Sequence, residues 1–207
     1  MSKGQRFYLG IKRIIDIFGS VVGILFCFTF FWWWVFVVNT FVTKGHPAFT
    51  HKRVGKNGKE FNLVKFRSMR ADVDPNLTSY EIKDEKELTT GFGRFLRKTS
   101  LDETLQLLNI LVGQMAFIGP RPLIDKDEDH ITIEKRKENG SINIKPGISG
   151  YAQINGRTDI SPEEKAELDG YYYNHFSLWL DIKIFIITVL QAFGLCKKKK
   201  STEDDNR

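Results

Sequence analysis

A run of 27 residues without a charge, Ile17–Thr43, limits the architectures open to this chain. As an α-helix it would extend about 40 Å, which is more than the roughly 30 Å thickness of a bilayer's hydrocarbon core. The run is also too long for the apolar part of a signal peptide, and no small-residue cleavage site follows it. It therefore predicts a membrane-embedded helix that stays in the mature protein.

Basic residues flank this run on both sides. A simple span would place one of the two clusters on the wrong side of the membrane, because positive residues collect on the cytoplasmic face. A re-entrant helix, which enters the bilayer and returns, keeps both clusters cytoplasmic. A single-pass anchor is the alternative, since no proline interrupts the run. The basic residues are Lys3, Arg6, Lys12 and Arg13 before the run, and Lys44, Lys52, Arg53, Lys56 and Lys59 after it.

Charge and cysteine content limit which partners and which cellular environment the chain can have. The 207 residues carry a formal net charge of +6, concentrated beside the apolar run. This placement fits an anionic membrane surface as partner and argues against nucleic acid. The two cysteines, Cys27 and Cys196, cannot build a disulfide framework, so we expect a reducing cytosolic environment.

Beyond the run, local patterns predict helices and one β-hairpin. Asn57-Gly58 between apolar stretches predicts a hairpin with strands Phe49–Val54 and Phe61–Phe66. Residues 71–90 are polar and predict a mobile surface excursion. Ser161 predicts the cap of a helix over Pro162–Tyr172.

The last apolar segment, Leu178–Phe193, predicts an amphipathic helix. Its apolar residues lie mostly on one side, while Asp181 and Lys183 interrupt the rest. A helix lying in the membrane interface and a helix buried against the protein core both fit this pattern.

Two adjacent carboxylates, Asp102 and Glu103, follow Ser100 at the start of an apolar periodic segment. Ser100-x-x-Glu103 matches a capping box, with Ser100 as the cap and Glu103 at the third helical position. Asp102 would then lie in the first turn, where the helix dipole favours its ionised form. An ionised aspartate can act as a nucleophile or as a Mg²⁺ ligand.

Cationic residues elsewhere in the chain suit phosphate binding. Arg121 lies between Pro120 and Pro122, which limit the entropy of its loop, and Arg97 precedes the carboxylates. Lys65 lies in the second predicted strand, and Arg67 follows the end of that strand. A bound pyrophosphate would need a divalent cation to balance its remaining charge. The four histidines show no ligand spacing, which argues against zinc.

In their order along the chain, these blocks closely resemble the bacterial sugar transferase family, the monotopic polyprenyl-phosphate phosphoglycosyl transferases. The resemblance covers about residues 6 to 193 and fits the small, minimal-domain type. The blocks are Lys12-Arg13-x-x-Asp16, Arg53-Val54-Gly55, Lys65-Phe66-Arg67-Ser68-Met69, Ser100-Leu101-Asp102-Glu103, Gly119-Pro120-Arg121-Pro122, Lys145-Pro146-Gly147-Ile148-Ser149-Gly150 and Gln153-Ile154-Asn155-Gly156-Arg157.

The resemblance implies transfer of a sugar-1-phosphate from a UDP-sugar to a polyprenyl phosphate, with undecaprenyl phosphate as the expected acceptor, and release of UMP. It implies that Asp102 is the nucleophile and a Mg²⁺ ligand, and that Glu103 positions the metal or accepts a proton. Other matching residues would bind substrate, with Lys145 and the Gln153–Arg157 block closing the nucleotide-sugar site. These substrate-binding residues are Lys65, Arg67, Arg97, Arg121, Lys145, Gln153, Asn155 and Arg157.

The expected fold is mostly α with a small β-hairpin. A re-entrant or spanning N-terminal helix (residues 1–45) would precede a compact catalytic domain on the membrane surface (46–195), with interfacial amphipathic helices and a charged, disordered tail (196–207). We expect it at the cytoplasmic face of the bacterial inner membrane. A homo-oligomer is possible, and the sequence identifies neither the sugar that is transferred nor the glycan pathway.

Four positions depart from the family pattern. Phe28-Thr29 stands where the family has Ser-Pro, so the proline that would help to kink the membrane helix is missing. Re-entrance would then depend on the Thr29 hydroxyl bonding back to the backbone, on a glycine or on packing. Lys145 and Tyr151 replace an arginine and a tryptophan that are common in the family.

The alternative function belongs to a different class: a non-catalytic membrane scaffold for polysaccharide assembly.

Overall fold

The computed structural model describes residues 1–70, 72–73, 88–156, 160–192 and 194–195, of which 127 and 128 are described for their backbone only. Three short 3₁₀ turns, Lys56–Gly58, Leu101–Glu103 and Ser141–Asn143, connect longer elements. The helices and strands, in chain order, are α1 (Lys3–Cys27), a π-helical turn (Phe28–Trp32), α2 (Trp33–Thr43), β1 (Ala48–Val54), β2 (Glu60–Phe66), α3 (Gly91–Lys98), α4 (Gln106–Leu111), β3 (Ala116–Ile118), α5 (Asp127–Glu138), β4 (Gly147–Ser149), α6 (Tyr151–Asn155), α7 (Pro162–His175) and α8 (Leu178–Ala192).

The chain forms two compact units, each built from separate stretches of sequence. The first unit contains Met1–Asp16, Arg53–Glu60 and Gln114–Arg207, and the second contains Ile17–Lys52 and Phe61–Gly113. The predicted boundaries at 1–45, 46–195 and 196–207 stay a prediction.

The apolar N-terminal run is helical, as predicted. Lys3–Thr43, with 41 residues, is long and apolar enough to cross a membrane. Within the second unit, one side of this helix is buried and the opposite side is exposed. The buried residues are Ser20, Cys27, Trp32, Val35, Asn39 and Thr43; the exposed ones include Phe18, Leu25, Phe28, Trp33 and Phe41.

A π-helical turn, Phe28–Trp32, keeps the buried residues on one side. Buried positions elsewhere recur at α-helical spacing, but Cys27 and Trp32 are five residues apart. In a regular α-helix, five residues would turn Trp32 about 140° away from Cys27. The wider π turn accommodates the extra residue and reduces this rotation. The register of the helix therefore depends on this turn.

Thr29 lies in the π turn at the position where the family has proline. Its Oγ1 donates a 2.8 Å hydrogen bond to the Leu25 carbonyl oxygen, which is one of the three means of bending that the sequence analysis named. The irregular turn thus coincides with the positions, Phe28 and Thr29, that match Ser-Pro in the family.

The predicted hairpin is confirmed, and each strand begins one residue earlier than predicted. β1 and β2 pair, and Asn57 and Gly58 in their turn have φ angles of 59° and 73°. Asparagine and glycine tolerate this left-handed region best, which explains the turn sequence. In the second unit, Phe66 of β2 is fully buried, with its ring 5.0 Å from that of Phe36.

A second two-stranded sheet, in the first unit, was not predicted. β3 and β4 pair in parallel, with Ala116 opposite Gly147 and Ile118 opposite Ser149. Strands of three residues are too short to show an alternating pattern, so the sequence carried no signal for them. The core beside this sheet contains Ile118, Ile144, Ile154, Tyr172, Phe176 and Ile184.

The two C-terminal helices begin at the predicted residues, Pro162 and Leu178, while α7 ends at His175, three residues later than predicted. Ser161 caps α7 by accepting a 3.1 Å hydrogen bond from the Glu164 amide. α8 buries Asp181 and Ile184 and exposes most of its apolar side, including Trp179, which is 80% exposed. The predicted apolar side is therefore largely exposed, while Ile184, Leu180 and Ile187 pack against the core of the first unit. The predictions for residues 71–90 fall largely outside the described residues, as do those for Cys196 and the tail.

Asp181 anchors the first helix within the first unit. Its carboxylate accepts hydrogen bonds from Tyr8 Oη at 2.7 Å and Tyr172 Oη at 2.6 Å, and it forms a buried ion pair with Lys12. Three elements, α1, α7 and α8, meet at this one carboxylate. Because a buried charge is costly without partners, the three donors stabilise the packing of these helices.

Candidate active site

Asp102 lies in the second unit, in the 3₁₀ turn Leu101–Glu103, and its side chain is buried. The predicted capping box is wrong. Ser100 has a left-handed backbone with φ of 56° and caps no amide with its side chain, and the regular helix α4 begins only at Gln106. A helix cap needs an extended backbone, which Ser100 does not adopt.

A chain of two hydrogen bonds holds this turn. Thr104 Oγ1 donates to the Leu101 carbonyl oxygen at 2.7 Å, and Trp32 Nε1 donates to Thr104 Oγ1 at 3.1 Å. The packing of Gly23 against Leu107 adds a second contact of the apolar helix with this region. The N-terminal helix therefore positions the backbone that carries Asp102.

The electrostatics of Asp102 differ from the prediction. Burial, and next the neighbouring Glu103, raise the pKa of its carboxyl above the usual value, while Lys65 and Arg97 oppose the rise. The expectation that a helix dipole holds Asp102 ionised is wrong, because Asp102 precedes the helix and is desolvated. Lys65 and Arg97 are the groups that favour its charged form.

Ring and hydroxyl contacts orient the cations of the second unit. Arg97 Nε donates a 2.8 Å hydrogen bond to Ser68 Oγ. Lys65 Nζ lies 5.2 Å from the centre of the Phe49 ring, and Arg67 Cζ lies 6.0 Å from it. Thus Asp102, Glu103, Lys65 and Arg97 come together, while Arg67 packs beside Lys65 on the same ring.

Two buried asparagines, which the sequence analysis missed, fix β2, which carries Lys65, and Arg67, which follows it. Asn109 accepts from the Val64 amide at 3.0 Å and donates to the Asn62 carbonyl oxygen at 2.8 Å. Asn39 Nδ2 donates to the carbonyl oxygens of Pro47 and Arg67 at 2.7 and 2.8 Å. Such bridges depend on distant backbone groups, so local sequence gives no signal for them.

The first unit brings two other predicted blocks together. The Gly119 amide donates to the Ser149 carbonyl oxygen at 2.8 Å, and the Gly147 amide donates to the Pro120 carbonyl oxygen at 2.9 Å. A Cβ atom on Gly119 would lie 2.4 Å from the Lys145 carbonyl oxygen, so only glycine fits there. The loop of Arg121 therefore lies directly beside the segment of Lys145.

Arg136, which the sequence analysis also missed, holds the backbone of the Arg121 loop. Its Nη1 donates to the Arg121 carbonyl oxygen at 2.9 Å, while its Nε and Nη2 bind Asp169 Oδ2 at 2.8 and 2.5 Å. Arg136 and Asp169 are both buried, whereas Arg121 itself is exposed. Arg136 falls in a strongly charged stretch of sequence, where nothing separates a buried arginine from exposed ones.

The remaining predicted residues make local contacts. Gln153 Nε2 donates to the Ile148 carbonyl oxygen at 3.0 Å, and its Oε1 is buried without a hydrogen-bond partner. Asn155 Nδ2 donates to the Tyr151 carbonyl oxygen at 2.8 Å. Arg157 lies outside the described residues.

Among the residues that the structure describes, no group of three or more His, Cys, Asp or Glu side chains could form a metal cage. Mg²⁺ commonly uses one or two protein carboxylates and completes its coordination with substrate phosphates and water. Asp102 and Glu103 fit that manner of binding.

Replacing Asp102 by asparagine tests the cost of burying this carboxyl. Because its pKa is raised in the folded protein, ionisation opposes folding; this cost is absent below the ordinary carboxyl pKa, grows as pH rises and is complete above the folded-state pKa. Asp102→Asn should therefore raise the melting temperature by a few degrees at about pH 7, and the gain should vanish near pH 4. The measurement is thermal unfolding of purified protein in EDTA at both pH values.

Glu167→Gln, at an exposed carboxylate, is the matched control and should change the melting temperature little at either pH. Equal melting temperatures for wild type and Asp102→Asn at about pH 7 would contradict this account of the buried carboxyl.

Comparison with known proteins places these features in a family. A family model described as bacterial sugar transferase matches residues 7–194. Galactosyl transferase CpsE of Streptococcus agalactiae serotype III (strain NEM316) is 38% identical over 192 residues, covering 86% of this chain and 41% of the relative. The uncharacterized sugar transferase EpsL of Bacillus subtilis (strain 168) is 45% identical over 148 residues, covering 70% and 69%.

A third relative is the UDP-glucose:undecaprenyl-phosphate glucose-1-phosphate transferase of Escherichia coli (strain K12). It is 36% identical over 156 residues, covering 72% of this chain and 33% of the relative. This chain thus spans about two fifths of the length of CpsE and a third of the E. coli protein, but over two thirds of EpsL. Since the family model matches nearly the whole chain, the chain belongs to the bacterial sugar transferase family.

Proposed function

We propose that this protein is a membrane enzyme that transfers a sugar-1-phosphate from a UDP-sugar to a polyprenyl phosphate, such as undecaprenyl phosphate, and releases UMP. The observation that carries the proposal is the buried Asp102 beside Glu103, Lys65 and Arg97. The name of the E. coli relative, which contains both undecaprenyl phosphate and glucose-1-phosphate transfer, supports the substrate classes.

The proposed reaction has two displacements at one phosphorus. An Asp102 oxygen bonds to the β-phosphorus of the UDP-sugar while the bond from that phosphorus to the bridging oxygen breaks, and UMP leaves with the electron pair. An oxygen of the polyprenyl phosphate then attacks the same phosphorus, and the bond to Asp102 breaks. Glu103 accepts the proton of the acceptor phosphate if it is still present.

The surroundings of Asp102 suit this chemistry. Asp102 is only 6% exposed, so its carboxylate loses few water molecules before it attacks the phosphorus. Lys65 and Arg97 supply positive charge to the phosphate oxygens, which gain charge during each displacement. That Arg121 and Lys145, on neighbouring loops of the first unit, also bind substrate stays a prediction from the resemblance.

Mg²⁺ is the proposed cofactor, with Asp102 as a ligand and Glu103 beside it. When bound, it would neutralise diphosphate charge. The protein's own contribution is the pair of adjacent carboxylates, one of them buried.

We propose that the N-terminal helix is re-entrant at the cytoplasmic face of the bacterial inner membrane. Buried residues recur along Lys12–Thr43 at intervals of seven or less, so no stretch of about 20 residues is free of protein contact, as a simple span would need. The π turn and the Thr29 back-bond provide an irregular centre without proline. The exposed apolar sides of this helix and of α8 would face lipid.

Labelling of a Ser2→Cys variant, with Cys27 and Cys196 replaced by serine, tests this topology. In sealed vesicles of known orientation, an impermeant maleimide should label residue 2 and a cysteine placed at exposed Lys137 from the same, cytoplasmic side. Labelling of the two positions from opposite sides would reject re-entrance in favour of a single span.

UMP release tests the catalytic proposal. Purified protein with Mg²⁺, a panel of UDP-sugars and undecaprenyl phosphate should release UMP with at least one sugar, which would also identify the donor. Asp102→Asn should lower turnover about a thousandfold or more, because it removes the nucleophile. Glu103→Gln should lower it about a hundredfold, while Glu167→Gln should leave it unchanged.

The non-catalytic scaffold is the second candidate, and the same assay separates the two. A scaffold needs neither carboxylate and releases no UMP. Undiminished turnover in Asp102→Asn would refute the assignment of the nucleophile, and no UMP release with any UDP-sugar would favour the scaffold.

A further inference from the structure

A small cavity lies within the first unit, at the end of α1 that precedes the apolar run. Its volume is about 140 Å³. Four cationic residues and one carboxylate line it: Lys12, Arg13, Lys56, Lys145 and Asp16. Only Lys145 among these was expected to bind substrate.

The charge of the cavity favours an anion. Asp16 accepts a 3.1 Å hydrogen bond from the Phe117 amide, and Asp181, outside the lining, pairs with Lys12. Among the described residues that line the cavity, cations therefore outnumber carboxylates. Burial and the neighbouring Arg13 and Lys56 lower the pKa of Lys145, while Asp16 partly offsets the shift. A bound phosphate group would relieve the repulsion among these cations.

The size and the apolar walls restrict the anion further. Ligand pockets usually enclose about 300–1,000 Å³, so this cavity is too small for a whole nucleotide sugar but large enough for a phosphate and a few attached atoms. Leu9, Ile118, Ile144 and Phe176 form its apolar walls. A charged head with an adjoining apolar chain matches both parts of the lining.

We propose that this cavity binds the phosphate head of a membrane lipid, with Arg13, Lys56 and Lys145 contacting the phosphate and the apolar wall contacting the first carbons of the chain. The lipid is either an isoprenoid phosphate or an anionic glycerophospholipid, which share this chemistry. The site is built by the first unit alone, and its occupancy does not depend on the catalytic proposal, because binding needs no turnover.

Binding of short lipid phosphates to the full-length protein in an uncharged maltoside detergent, without UDP-sugar, tests the site. Farnesyl phosphate and dihexanoyl phosphatidic acid are the two lipid probes. Dihexanoyl phosphatidylcholine, inorganic phosphate and UMP are the comparison ligands. Calorimetric titration should show saturable binding of at least one lipid probe, tighter than that of every comparison ligand.

A matched pair of variants in one turn assigns the binding to the cavity. Lys56→Glu should weaken the lipid phosphate about tenfold, equivalent to about 1.4 kcal/mol. Lys59→Glu makes the same charge change three residues away, at an exposed position outside the lining, and should leave the affinity within about twofold. Both variants lie in the exposed hairpin turn, so their melting temperatures should match the wild type.

The outcomes separate the two lipids and the alternatives. Binding of farnesyl phosphate alone makes an isoprenoid phosphate the occupant, and binding of phosphatidic acid alone makes it a bilayer lipid. Binding of both supports a general site for lipid phosphates. Absence of binding, equal effects of Lys56→Glu and Lys59→Glu, or equally tight binding of UMP or inorganic phosphate would overturn the proposal, whatever the UMP-release assay gives.

Discussion

The hydrogen bond from Trp32 Nε1 to Thr104 Oγ1 joins the apolar helix to the turn that carries Asp102. Trp32 reaches Thr104 because the π turn compensates for the five-residue spacing after Cys27. The same buried side of the helix presents Asn39, which holds the backbone at Arg67. A segment that is apolar enough for a membrane therefore also sets the geometry of the candidate nucleophile and of its cationic strand.

Burial of Asp102 links stability to the proposed chemistry. A desolvated carboxylate beside Glu103 costs folding free energy when it ionises, and Lys65 and Arg97 only partly offset that cost. Proteins retain such strained groups where function needs them. In the first unit, the buried Arg136–Asp169 pair has a different role, since it supports the backbone of a loop whose arginine is itself exposed.

The sequence predicted what depends on local pattern. The Asn57-Gly58 hairpin, the Ser161 cap and the first residues of α7 and α8 follow from nearest neighbours and periodicity. The prediction of a capping box at Ser100 was wrong. The motif specifies only residue types, whereas a helix cap also requires an extended backbone, and the folded chain holds Ser100 in a left-handed conformation. Asn39, Asn109 and Arg136 could not be found, because their hydrogen-bond partners lie 8 to 47 residues away along the chain. The order of the sequence blocks along the chain, rather than any single motif, indicated the family from sequence.

A covalent intermediate on Asp102 is the centre of the proposed mechanism. Mixing the protein with its UDP-sugar and Mg²⁺ in the absence of acceptor, followed by rapid quenching and mass spectrometry, would detect it. We expect a mass increase of one phosphosugar on the peptide that contains Asp102, lost on addition of undecaprenyl phosphate and absent from Asp102→Asn. Formation of the polyprenyl product without this adduct, or an adduct on another residue, would contradict the mechanism.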